Sequence, residues 1–283
     1  MSTLLEPFGY EFFRHALMVA VLAGVLCGLV GVYVVLRGMS YIGHGLSHAI
    51  FGGAVAGFVL SINFYVAGGI FGLFAALLIQ KIARRRTIGA DAAIGVVTTT
   101  AFAIGVVIIS VGGGFTRNFE AALFGNVLGV TEADVLVVAG VTLFAAAVVL
   151  LRYRQFLFTA FDPEVADVSG VRTAWADALL AILLAAAITA TMNVLGVTLI
   201  AAMLVIPPVI ARLLTDSFHR MLWISLAVGG LCGFVGVYLS YHLDWASGPA
   251  VVLVAGLVFL VAFAISGVRG RRLPAEAMAE HVD

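Results

Sequence analysis

The amino-acid sequence predicts an all-α, polytopic membrane protein, and three observations carry that prediction. Of 283 residues, 63% are apolar and only 11% charged, against roughly half and about a quarter in soluble domains. The apolar residues come in runs of about 20, the length that crosses a hydrocarbon core of roughly 30 Å as a helix. The chain holds 32 glycines and 20 phenylalanines but one lysine, with a mean hydropathy of +1.17, a composition suited to helices packed closely in lipid. A β-barrel would need short alternating strands. Zero formal charge offers no field to attract a nucleic acid.

Apolar runs bounded by charges, turns and Gly or Asn breaks give nine spans: 14–36, 42–60, 64–82, 90–110, 131–151, 174–193, 195–213, 219–240 and 247–267. The first is too long for a signal peptide and has no small-residue cleavage site, so it is expected to be retained. Residues 174–213 are nearly continuous, with Asn193 and Gly196 offering the turn, but their length requires two crossings. In the seventh span Pro207 and Pro208 remove backbone donors and predict a kink. An odd count puts the termini on opposite sides. With the N-terminus outside, 13 of the 15 basic residues fall in inner loops and only Arg14 and Arg117 outside, which makes the C-terminus cytoplasmic.

The chain is read as one transmembrane domain over 1–270 with a short cytoplasmic tail over 271–283. Two connections are long enough to act. The outer segment 111–130 mixes glycines with aromatics and is expected either to form a lip at the outer mouth or to be a plain connection. The inner segment 152–173 contains Asp162-Pro163-Glu164, an N-cap, a proline at the first helical position and an acid favouring the helix start; Gly170 ends the turn. A short helix on the cytoplasmic face is expected.

Chemistry concentrates at the start of the second span, in MSYIGHGLSHAIFGG. The i, i+4 spacing of His44 and His48 puts both imidazoles on one helical face. Ionisable groups at such a depth face a bundle interior or an aqueous path, and imidazole suits first-row transition metals, with Ser47 near as a weak donor or a support. The pair reads either as a metal site or as helix–helix hydrogen-bonding residues near the cytoplasmic interface. Gly38, Gly43, Gly45, Gly52, Gly53 and Gly57 permit close helix contact or a local break. Asp177 is expected to pair with Arg172, and His242 and Asp244 to lie in a solvated outer loop. Cys27 and Cys232 sit inside apolar runs and read as inert thiols. No G-x-x-x-x-G-K-[ST], HExxH or GxSxG occurs, so the chain is not expected to be an enzyme, and any ATP-driven work belongs to a partner.

Three blocks, VVLRGMSYIGHGLSHAIFGGAVAG, FDPEVADVSGV and GVTLIAAMLVIPPVIARLLTDSF, in that order, resemble the zinc/manganese ABC importer permeases from about residue 10 to 270. The resemblance implies a type II importer fold and a homodimer with its path at the dimer interface. It also implies a cytoplasmic ABC ATPase that binds the ATP, an extracytoplasmic metal-binding protein, and residence in the bacterial plasma membrane. Residues 161–171 would be the coupling segment, with Asp162, Pro163, Glu164, Ala166 and Gly170 against the ATPase. No permanently bound cofactor is implied; the metal is cargo. Many members carry Gly-Asp-x-x-x-His in the second helix; here His44 stands at the Asp position and His48 matches the family His. Losing a carboxylate shifts the expected cargo from manganese toward zinc.

The sequence thus points to the permease subunit of an ATP-driven importer of divalent transition metals, zinc ahead of manganese. A secondary metal transporter working without an ATPase and a non-transporting scaffold are the other readings. Against them stand the absence of evident inverted repeats and a His pair with a coupling-like segment that a scaffold has no use for.

Overall fold

Of the described helices long enough to cross a membrane, Glu11–Leu36 (α1) is the most deeply buried. The computed structural model describes residues 6–83, 88–112, 125, 129–161 and 163–270. After a 3-10 turn at Glu6–Gly9 and α1 come α2 (Ile42–Val59), α3 (Phe64–Ala83), α4 (Ala90–Gly112) and α5 (Glu132–Leu151). Then follow two short helices, α6 (Tyr153–Phe161) and α7 (Pro163–Val168), and four long ones, α8 (Thr173–Leu195), α9 (Val197–Leu214), α10 (Phe218–Leu243) and α11 (Ser247–Gly270). Among the described residues there is no strand.

Local chemistry sets the helix ends. At the end of α1, Gly38 takes a φ of +66°, its N–H donates to Val35 O (3.1 Å), and Met39 N–H reaches back to Val34 O (3.0 Å). These two bonds make a Schellman motif, which satisfies the last carbonyls of a helix and requires a left-handed residue that glycine supplies without strain. α5 opens with a capping box in which the Thr131 hydroxyl accepts from Asp134 N–H and the Asp134 carboxylate accepts from Thr131 N–H. The Tyr65 hydroxyl of α3 donates to the same carboxylate. Gly196, at φ 80° and ψ 156°, separates α8 from α9, the break for which the sequence offered Asn193 or Gly196.

Packing is governed by small residues. α1 and α10 run antiparallel with Ala20, Gly24 and Gly28 facing Gly233, Gly229 and Ser225 respectively, so close that a Cβ added at either glycine of α1 would strike backbone. Such small-residue seams let helix backbones approach where lipid supplies no hydrophobic drive for association. The Ser225 hydroxyl crosses the seam to donate to Gly28 O at 2.8 Å. α2 lies parallel to α4 by the same device, Gly52 against Gly105, and antiparallel to α3 through Gly53, Gly57 and Gly72. The interior is built on α1 and α8, whose apolar stretches are 78% and 67% buried, whereas those of α5 and α11 are only 22% and 28% buried.

Each of the nine apolar segments coincides with a helix whose ends differ from expectation by a few residues. Seven described helices are long and apolar enough to cross a membrane, and Leu199–Leu214 of α9 is a shorter apolar helix. Two local expectations change. The inner segment forms two helices, α6 and α7, not one. Asp177 pairs with Arg37 at 2.6 Å, where the sequence named Arg172. Pro207 and Pro208 lie inside α9, both buried, and the carbonyl that Pro208 leaves without an intrahelical donor, Leu204 O, packs against Gly31 of α1. Nearly all of the outer segment 111–130, and the tail 271–283, lie outside the described residues.

Candidate functional site

α2 starts one short turn after α1, and His44 and His48 lie in its first two turns. The helical repeat brings the two imidazoles together: their ring centroids are 4.7 Å apart with planes at 81°. His44 is exposed and His48 half-buried, the latter edge-on to Phe102 of α4 at 5.6 Å. Thr98 of α4 and Ile94 crowd Gly45 so that α4 walls one side of the pair, while Gly43 meets Leu204 of α9 on another.

Ser47, between the two histidines, is buried. Its hydroxyl lies 2.8 Å from His44 O and 2.9 Å from Val197 O, so it ties α2 to the first residue of α9 and is committed to carbonyls. Ser47 thus supports the His pair by fixing the start of α2 against α9. The Gly38–Gly43 stretch behaves in two ways. Gly38 makes the left-handed turn, whereas Gly43 is already inside α2.

A pair of neutral imidazoles one helical turn apart can hold a borderline divalent cation through two nitrogens. Among the described residues no group of three or more His, Cys, Asp and Glu side chains comes together as a metal cage, so any fuller coordination needs donors beyond this chain's described carboxylates, thiols and imidazoles. The exposure of His44 leaves the pair open on one side.

The inner-loop residues gather at α7. Pro163 is its first residue, as expected of a proline at a helix start. Gly170 ends the turn at φ +79°, with Val171 N–H donating to Ala166 O at 3.0 Å. Asp162 and the side chain of Glu164 lie outside the described residues. Ala166 is fully buried, whereas Val165 and Val168 are exposed, Val168 at 91%. Ala166 supports α7 from beneath, and the face turned outward belongs to its neighbours.

Two features went unread in the sequence. One is the α4 wall of Thr98 and Phe102, which the run Thr98-Thr99-Thr100 inside an apolar span signals. The other is Arg37, whose guanidinium joins Asp177 to Thr159 (2.6 and 2.7 Å); no local signal points to partners so far along the chain.

Comparison with known proteins bears on the whole of this arrangement. Residues 9–266 match the model of the ABC 3 transport family. The chain is 35% identical over 261 residues to the manganese transport system membrane protein MntC of Halalkalibacterium halodurans, covering 92% of this chain and 89% of that one. It is 35% identical over 273 residues to a probable iron transport system membrane protein of Haemophilus influenzae, covering 95% and 98%. Among solved structures it resembles a chain of PsaBC from Streptococcus pneumoniae in complex with Fab, with a TM-score of 0.83, 31% identity and coverage of 93% and 95%. With the family model spanning all but the two ends of the sequence, and relatives of that identity aligned over nearly their full length, the chain is a membrane permease of the ABC 3 transport family.

Proposed function

We propose that this chain is the membrane-spanning subunit of an ATP-driven importer of divalent first-row transition metals, with His44 and His48 the side chains that the cation meets on its way through. The observation that carries this reading is the pairing of the two imidazoles, 4.7 Å apart with one ring exposed, in a chain whose family is one of transport permeases. Two nitrogens bind modestly, which suits a site that must release what it holds. A second copy of the chain, related by a two-fold axis, supplies two more and completes four.

The cytoplasmic ATPase engages the exposed face of α7, and an extracytoplasmic metal-binding protein delivers the cation. Nine crossings with the N-terminus outside place 13 of 15 basic residues on the inner side, in keeping with the positive-inside bias of bacterial plasma-membrane proteins. As to the metal, the relatives above carry manganese and iron in their names, and the preference for zinc expected from the His44 substitution gains no support from them. The reading adopted is a divalent first-row cation, with manganese(II) and iron(II) the first to test.

The test is uptake of manganese(II), iron(II) and zinc(II) into liposomes holding the chain with its ATPase and binding protein. Uptake that needs ATP and is lost in His48→Ala supports the reading. Uptake by the chain alone along an ion gradient overturns it in favour of a secondary transporter.

A further inference from the structure

Arg37 sits where three distant parts of the chain meet. It is the residue after α1 and the C-cap of that helix. Its Nη1 donates to Asp177 Oδ1 of α8 at 2.6 Å and its Nη2 to the Thr159 hydroxyl of α6 at 2.7 Å. α6 and α8 are the two arms that carry α7, so one guanidinium holds both arms. The ion pair is largely withdrawn from solvent, with side chains 10% and 20% exposed, where removing one partner leaves an uncompensated charge.

On its other side Arg37 is continuous with α2 through a turn that has no slack. Arg37, Gly38 and Met39 N–H all return to α1 carbonyls, and Ile42 N–H donates to Met39 O at 2.9 Å. Met39 and Ile42 are buried, so the turn is packed as well as hydrogen-bonded. His44 follows two residues later. The guanidinium is not fully used: its Nε and the hydroxyl of Tyr33, one helical turn back, are both buried without a partner among the described residues. Buried unpaired donors cost free energy, so Arg37 is held at this junction by its two Nη bonds to the arms and, among the described residues, by nothing at Nε.

We propose that Arg37 is the positioning residue that couples displacement of α7 to α2, so that movement imposed on the cytoplasmic helix re-aims His44 and His48. This rests on the reading above that an ATPase engages α7. Rigid elements joined through a discrete polar contact are what transmits such motion, and Arg37 is the contact through which both arms grip the α1–α2 turn.

The experiment uses the full permease assembled with its ATPase in liposomes. A single cysteine bearing an environment-sensitive fluorophore is placed at Phe158 on α6, the arm that leads into α7, or at Tyr41 before α2, both exposed; the native Cys27 and Cys232 are buried and free. With either label in an otherwise wild-type chain, ATP should change the signal and drive metal uptake. In Arg37→Met the Phe158 signal should persist while the Tyr41 signal disappears, and metal carried per ATP should fall by about tenfold, within the range one coupling residue controls. Arg37→Lys, which keeps the charge but not the fork, should fall between.

Responses at both labels in Arg37→Met, with unchanged metal per ATP, overturn the inference while leaving the functional reading intact. Loss of both responses in the Met and Lys variants alike makes Arg37 a folding residue and also overturns it. A wild-type complex that hydrolyses ATP without moving metal defeats the functional reading itself, and the inference with it.

Discussion

Replacing Gly28 by alanine tests the α1–α10 seam most directly. A Cβ at Gly28 would lie 2.6 Å from Ser225 O, 3.0 Å from Ser225 C and 3.3 Å from Leu226 Cα. All three are backbone atoms, so no side chain can swing aside. Ordinary contact begins near 3.4 Å, and the two helices must therefore part by about 0.8 Å (3.4 less 2.6) or tilt. Overpacking of this kind costs about 1–3 kcal/mol. Parting the helices also stretches the 2.8 Å bond from the Ser225 hydroxyl to Gly28 O, worth about 0.5–1.5 kcal/mol. Together these come to about 1.5–4.5 kcal/mol, or about 0.5–3.5 kcal/mol net of the roughly 1 kcal/mol that alanine returns as the better helix former, a fall of roughly 1–14 °C in Tm by the scaling for larger domains. The assay is thermal unfolding of the purified permease in detergent. Gly256→Ala in α11 is the internal control, because its Cβ meets nothing within 4 Å and alanine is the better helix former by about 1 kcal/mol. Equal midpoints for the two variants would refute the claim that glycine at 28 sets the distance between α1 and α10.

His48→Ala should abolish metal uptake in the reconstituted complex while leaving co-purification with the ATPase unchanged; full uptake would show that the pair only packs. Val168 is exposed and Ala166 buried, so Val168→Glu should weaken ATPase binding without moving Tm, whereas Ala166→Leu should lower Tm, both read by pull-down and thermal unfolding. Tyr65→Phe removes the hydrogen bond from α3 to Asp134 and should cost about 1 kcal/mol, visible as a small drop in Tm. A tag before residue 1 should be reached by an external, membrane-impermeant reagent and a tag after residue 283 should not; labelling of both from one side would require a different number of crossings.

The candidate site was legible to the extent that it is local. His44 and His48 are four residues apart on one helix, and helical geometry alone forces their rings together. The start of α7 at Pro163 and the left-handed turn at Gly170 that follows it are likewise written in adjacent residues. Asp177 shows where that reading stops. Arg172 is five positions away in sequence, but the carboxylate is bridged to Arg37, 140 residues distant. Nothing local shows that Ser47 ties α2 to α9, because its partner, Val197 O, belongs to another helix 150 residues on.

What the sequence by itself determined is the existence, length and order of the membrane helices: a backbone in lipid can only be helix or closed barrel, and unbroken apolar runs of about 20 residues ended by charge or glycine fit the helix and not the short alternating strands of a barrel. Which of those helices form the interior is a different matter. The windows of α1 and α11 are both strongly apolar, yet one is 78% buried and the other 28%. In water, burial follows the apolar face; in a membrane the lipid is as apolar as the core, so the pattern of hydrophobicity carries no instruction about which side turns inward. That choice falls to shape and to sparse polar contacts. Gly24 and Gly28 on α1 meet Gly229 and Ser225 on α10, and Arg37 meets Asp177 and Thr159. Such pairings become visible only once the tertiary structure has brought the two members of each together.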